Sequence, residues 1–260
     1  MSEVEPNVII EKEGHIGLIT LNRPQEMNTF NLPFARELND ALLQLDDDPE
    51  VRVVVIKANG KHFSTGISLA EFKNKTPLEY NEFIRKMDEH NHTIAHMKKP
   101  VIASVKGYCL ANGAGLSFAC DLTVAAEDAK FGTTAINVGL ICLGPAAPLA
   151  RLVGRKKALE MVLTGDMVSA PEAQQLGLVN KIVPKEQLEE ATMELARKLA
   201  AKSPLALQTG KRGIYGSEDI PYEKALDMLS GLFASLCCTE DAECGVKAFL
   251  EKKEPDWKQR

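Results

Sequence analysis

Nowhere does this sequence run apolar for the roughly 20 residues that a membrane-crossing helix needs, which argues against a helical span. It has no excess of positive charge: 31 Lys and Arg face 36 Asp and Glu, for a formal net charge of −5. That removes the field-based reason to expect nucleic acid or an anionic membrane as a partner. There is no C-x-x-C pair, and only 5 histidines. Cys109, Cys120, Cys142, Cys237, Cys238 and Cys244 are scattered in mostly apolar company, which reads as reduced, mostly buried thiols and no metal site. The start, Met1-Ser2-Glu3-Val4-Glu5-Pro6, lacks the basic and apolar parts of a signal peptide, so a cytoplasmic protein is expected. Internal repeats and low-complexity linkers are absent.

What is present is 260 residues, 45% of them apolar and 26% charged, enough for one large domain or one domain with a helical annex. Residues 8–11 and 16–21 flank a Gly-containing turn and read as a hairpin. Asn31 is placed to cap a helix with Pro33 in its first turn and Phe34, Leu38, Ala41, Leu42 and Leu45 on one face. Asp46-Asp47-Asp48-Pro49 ends that helix as a solvated loop, because acidic side chains oppose the dipole there. Residues 51–58 are β-branched and nearly continuous, a strand covered on both faces. A loop with two glycines follows over 59–68, then a polar helix over 78–96. Its His90, His92 and His96 lack an H-E-x-x-H pattern and carry no metal reading. Residues 129–140 read as a loop and 141–148 as a Gly- and Pro-rich run. Helix resumes at 151–163 and again after Ser169, with a turn and strand over 177–183. From Lys185 onward the chain is amphipathic helix, broken at Ser203-Pro204, Gly216 and Ile220-Pro221. The pattern is an α/β body with a helical tail.

One stretch organises the rest. Behind Lys99-Pro100, the run 101–105 reads as a buried strand. Residues 107–121 are then rich in small side chains, with no β-branched residue and no proline, and allow a short, tightly packed helix. A strand that turns through small residues into a helix presents free N–H groups, which suit an oxyanion or a polarised carbonyl.

These segments together resemble the crotonase superfamily, the enoyl-CoA hydratase/isomerase fold. The anchors are Leu21-Asn22-Arg23-Pro24, Lys99-Pro100-Val101-Ile102-Ala103, Gly107-Tyr108, Cys120-Asp121-Leu122, Ala129-Lys130-Phe131-Gly132, Val153-Gly154-Arg155 and Leu163-Thr164-Gly165-Asp166. Ala173-Gln174-Gln175-Leu176-Gly177-Leu178-Val179 and Ala248-Phe249-Leu250-Glu251-Lys252 complete the series. The resemblance implies an α/β spiral of ββα units over 1–200 and a C-terminal helical trimerisation region over 201–260, giving a homotrimer or hexamer. It implies an acyl-CoA thioester as ligand, with coenzyme A part of the substrate and no separate cofactor, and lyase or isomerase chemistry in fatty-acid metabolism. It also implies a thioester carbonyl polarised by the backbone N–H groups of Ile67 and Asn112. Many relatives carry three glycines where this chain has Ala111-Asn112-Gly113, so a tolerable φ at Asn112 is a condition of the site.

The same resemblance places Glu26 and Met27 against the nucleotide and pantetheine and Ile67 to Leu69 on the adenine side. Phe233, Phe249 and Lys252 match residues lent to the CoA site, sometimes by a neighbouring subunit. The two glutamates of a hydratase fall here at Gly115 and Ala135, and neither can carry a proton. The carboxylate of an isomerase would fall near Cys142, Leu143, Gly144 and Pro145. No Asp or Glu occurs between Asn112 and Cys120 or between Phe131 and Leu149. Polar groups on the surrounding loops are His62, Ser68, Glu71, Ser117, Thr133, Thr134, Asn137 and Cys142, with Asp121 and Cys142 read as structural. The first helix opposes Arg36 with Glu37, Asp40 and Asp46, unlike the lysine-lined helix of an RNA-binding offshoot. Two alternatives stand beside the hydratase/isomerase reading: a malonyl-type decarboxylase, which needs no general base, and a non-catalytic acyl-CoA-binding oligomer.

Overall fold

Two strands, β1 (Val8–Glu13) and β2 (Ile16–Leu21), pair antiparallel around Gly14. The Asn31 side chain caps α1 (Leu32–Asp47) by accepting from the Phe34 N–H. Next come β3 (Val53–Ala58), α2 (Pro77–His96), β4 (Val101–Val105) and β5 (Tyr108–Leu110). They lead to α3 (Asn112–Ala119), β6 (Leu122–Ala126), β7 (Lys130–Gly132) and α4 (Leu143–Thr164). Beyond α4 the order is β8 (Met167–Ser169), α5 (Ala170–Gln175), β9 (Lys181–Val183) and α6 (Leu188–Ala200). The chain closes with α7 (Pro204–Ser217), α8 (Tyr222–Cys237) and α9 (Glu240–Glu251). This computed structural model describes residues 5–260, so the part of the signal-peptide reading that rests on Met1 to Val4 lies outside the described residues.

The strands form two sheets, ordered β1-β2-β3-β4-β6-β9 and β5-β7-β8. From β4 to β7 consecutive strands go to different sheets: β4 to the first and β5 to the second, followed by α3, then β6 and β7 in the same way. That alternation is the ββα spiral that the anchors led us to expect. Gly107 turns the chain between β4 and β5 at a φ of 56°. A Cβ there would lie 2.7 Å from His62 Nδ1, so a side chain is excluded by both conformation and space. In β3, Val54 and Ile56 face the main core with α1 and α2, while Val53 and Val55 face a second core with Ala191 and Ala196 of α6. The β-branched run is thus covered on both faces.

Three local expectations are corrected. Asp46 and Asp47 lie in the last turn of α1, not in a loop. Asp46 Oδ1 there accepts the N–H groups of Lys98 and Lys99, and Asp48, the cap residue, pairs with Lys12, which offsets the unfavourable dipole. Residues 130–132 are a strand, not a loop, because pairing with β5 and β8 supplies what three residues cannot signal alone. The Gly- and Pro-rich run 141–148 enters α4, which therefore starts at Leu143 rather than near Arg151, with a non-helical break at Gly154.

Candidate active site

The buried side chain of Asn28 organises the loop after β3. Its Oδ1 accepts the Arg23 N–H at 2.8 Å, and its Nδ2 donates to the carbonyls of Asn59 and His62 at 3.0 and 2.9 Å. The Asn28 carbonyl accepts the Ser64 hydroxyl at 2.8 Å. Farther along, the Phe30 N–H donates to Gly66 O and the Ser68 N–H to Phe30 O. These bonds grip residue 67 from both sides. Among the described residues, the Ile67 N–H itself has no acceptor.

Helix α3 begins against this loop. Leu110 N–H donates to Ser64 O and Ala111 N–H to Gly132 O, which docks the helix entry onto both the loop and β7. The Gly115 N–H closes the first turn on Ala111 O. The Asn112 N–H precedes that ladder and has no acceptor among the described residues. A Cβ on Gly66 would lie 2.6 Å from Ala111 Cβ and 3.3 Å from Asn112 N. One on Gly113 would lie 2.7 Å from Ser64 Cβ. Both glycines are therefore needed for the two segments to approach this closely. The conformational question raised for Asn112 falls on its neighbour: Asn112 is helical, and Ala111 sits at φ 48°, ψ −123°. A residue with a Cβ held there costs on the order of 1–3 kcal/mol.

The wall around these N–H groups includes the two positions, Gly115 and Ala135, that the resemblance expected to be vacant. A Cβ on Gly115 would lie 2.9 Å from Pro145 Cγ, so Pro145 fills the space that a side chain there would use. Ala135 lies in a short 3-10 turn that leads to Cys142, the residue before α4. Burial, then the charge of Asp88, push its thiol up, so Cys142 is a neutral filler. Asp88 comes from α2. Asn112 Nδ2 donates to Asp88 Oδ1 at 3.0 Å and to Met87 O at 3.3 Å. A Cβ on Gly144 would fall on both carboxylate oxygens of Asp88. Burial pushes the Asp88 carboxyl above the usual carboxylate range, while the Asn112 hydrogen bond and the charge of His92 work the other way.

A sequence model described as Enoyl-CoA hydratase/isomerase matches residues 11–260. The chain belongs to the enoyl-CoA hydratase/isomerase family. It is 36% identical over 256 residues to a protein named probable enoyl-CoA hydratase from Rhizobium meliloti (strain 1021), covering 97% of this chain and 98% of that one. It is 35% identical over 250 residues to a probable mitochondrial enoyl-CoA hydratase from Dictyostelium discoideum, covering 95% of this chain and 89% of that one. The crystal structure of an enoyl-CoA hydratase from Mycobacterium smegmatis superposes with a TM-score of 0.94 at 36% identity, covering 97% of this chain and 99% of that chain.

The remaining residues expected of an enoyl-CoA hydratase/isomerase are distributed as follows. Glu26 pairs with Arg23, and Met27 beside it is 48% exposed in the left-handed region. Leu69 is exposed just past Ile67. These positions share the loop system that carries the Ile67 donor. Phe233, Phe249 and Lys252 are exposed on α8, on α9 and at the end of α9. The main packing of α8 is against α7, so the single chain does not fold these residues onto the two donors. Asp121 accepts Val101 N and pairs with Lys211 Nζ, each at 2.7 Å, a structural anchor. His62 Nδ1 accepts the Tyr108 N–H, and the ring stacks on Tyr108. The Ser117 hydroxyl is hydrogen-bonded to Thr123 inside the core. Among the described residues no helix is long and apolar enough to cross a membrane. Asn28 and Asp88 are the residues that sequence reasoning missed.

Proposed function

We propose that the protein binds an acyl-CoA thioester and stabilises the enolate formed at its α-carbon, with the N–H groups of Ile67 and Asn112 as the oxyanion hole. The observation that carries this reading is the close approach of two segments whose N–H groups have no acceptor among the described residues. Charge that builds on the thioester oxygen would meet donors already in place, and the positive end of α3 adds to the field. Each such donor contributes about 3 kcal/mol in comparable sites. The names of the relatives favour an unsaturated acyl-CoA as substrate. The exposed apolar side chains of α8 and α9, Phe233 and Phe249 among them, support a trimer that brings a neighbour's residues to the CoA.

A second reading, a non-catalytic acyl-CoA-binding oligomer, draws on Gly115 and Ala135. Titration with acetoacetyl-CoA tests the first. Its enolate has a distinct ultraviolet absorbance, and the protein is expected to bind it and to lower the pH at which the enolate forms. Binding without an enolate signal would favour the second reading, and absence of binding would overturn both.

A further inference from the structure

Asp88 is a carboxylate that neither the family resemblance nor the relatives' names point to. It reaches the site from α2, across from the segments where the usual glutamates are missing. Two contacts fix it there. Its Oδ1 accepts Asn112 Nδ2 at 3.0 Å, one residue's span from the proposed donor N–H of Asn112. Its carboxylate lies on Gly144, where only the missing side chain leaves room. Its charge also helps to raise the thiol of Cys142, the residue that precedes α4. Asn112 and Gly144 thus place this carboxylate beside the wall that Pro145 forms against Gly115.

We propose that Asp88 is the acid–base carboxylate of this site, removing a proton from the α-carbon of the bound acyl-CoA thioester and returning it. The inference rests on the oxyanion reading above. In the forward step the Cα–H bond breaks and its proton passes to Asp88, which becomes a neutral acid. The electron pair forms the C=C bond of the enolate, and the negative charge moves to the thioester oxygen between the N–H groups of Ile67 and Asn112. In the return step Asp88 gives the proton back, to Cα or, when a β,γ double bond is conjugated to the enolate, to the γ-carbon. One carboxylate suffices for this exchange and no water is consumed, whereas hydration uses a pair. A β,γ-unsaturated acyl-CoA is therefore the substrate class that best fits a single carboxylate. Its desolvated setting raises the carboxyl's affinity for a proton.

A purely structural Asp88, serving only to hold the Asn112 amide, makes a different prediction. Asp88→Asn keeps an acceptor oxygen for Asn112 but cannot carry the proton; Asp88→Glu keeps the carboxylate. The readouts are solvent-deuterium incorporation at Cα of butyryl-CoA and calorimetric affinity for the same thioester. Asp88→Asn is expected to lose ~10²–10⁴-fold in exchange rate with affinity retained, and Asp88→Glu to recover part of it. Exchange at the wild-type rate in Asp88→Asn would overturn the proposal while leaving the oxyanion reading intact. The same holds for binding without exchange in the wild type. Failure of the wild type to bind butyryl-CoA would remove the oxyanion reading as well.

Should the variants not fold, the wild-type exchange rate against pH decides. It should rise through one ionisation shifted upward from that of a free carboxyl, and a flat profile would overturn the role. The titratable neighbours are His92 on α2 and Cys142 ahead of α4. Helix α3 contributes the uncharged Asn112, and α1 meets α2 through the uncharged Asn39–Thr93 pair.

Discussion

Asn112 holds Asp88: the amide of the first residue of α3 donates at 3.0 Å to a carboxylate carried by α2. One residue thereby joins a free backbone N–H to a side-chain contact with a desolvated carboxyl. A glycine at this position could not make that contact.

Gly144→Ala tests how tightly the carboxylate is seated. Helix propensity alone predicts a gain of up to ~1 kcal/mol. The new Cβ falls on both Asp88 oxygens, so a net loss of about 1–3 kcal/mol is expected in urea unfolding. The loss should shrink when Asp88→Ala is combined with it, and two additive penalties would show that the residues do not meet.

Ala111→Gly tests the backbone at the helix entry. At φ 48°, ψ −123°, glycine is free of the penalty that alanine carries, while its unfolded chain gains entropy. The balance is a stabilisation of about 1 kcal/mol, read from the urea midpoint at unchanged slope. A destabilised variant would show that the Ala111 methyl, packed at Gly66, outweighs the strain.

His90 should make the fold acid-sensitive. Burial pushes its imidazole down to about 4 from 6.5, and among the described residues its Nε2 has no hydrogen-bond partner. Below pH 6.5 the unfolded state takes up a proton that the native ring refuses. The neutral ring's contribution is thus full above 6.5 and is lost as pH falls towards about 4. At most about 3 kcal/mol disappears across that window. His90→Phe, packed beside Phe30, should remove this component from unfolding free energies measured at pH 7, 6, 5 and 4. An unchanged profile would place the acid sensitivity in other groups.

Asp121 and Lys211 form a pair whose side chains are 15% and 5% exposed. Lys211→Met leaves the carboxylate without its cation and is expected to cost about 3–5 kcal/mol of stability. Acetoacetyl-CoA enolisation should persist in the protein that stays folded. Loss of the enolate signal without loss of stability would move Asp121 from anchor to site.

The sequence revealed the elements whose periodicity is long. The β-branched run of β3, the capped face of α1 and the proline-led starts of the C-terminal helices each carry a local signal. The second sheet does not: β5, β7 and β8 are three residues each and owe their existence to pairing across the chain. The start of α4 was hidden because Gly144, Pro145 and Pro148 lower helix propensity, which packing against α3 overrides. At the site, the ordered anchors led to Ile67, Asn112 and the empty positions at Gly115 and Ala135. Asp88 was not legible, since no motif links a residue of α2 to Gly144, 56 positions later; only tertiary contact does. Asn28 was equally silent, because its value lies in three loop partners separated from it in sequence.

The bonds around Asn28 have one further consequence. They make the donor loop a product of folding, set before any thioester arrives. On the proposed function, a thioester would spend little of its binding free energy on ordering that loop, which leaves the opposite wall to tune affinity.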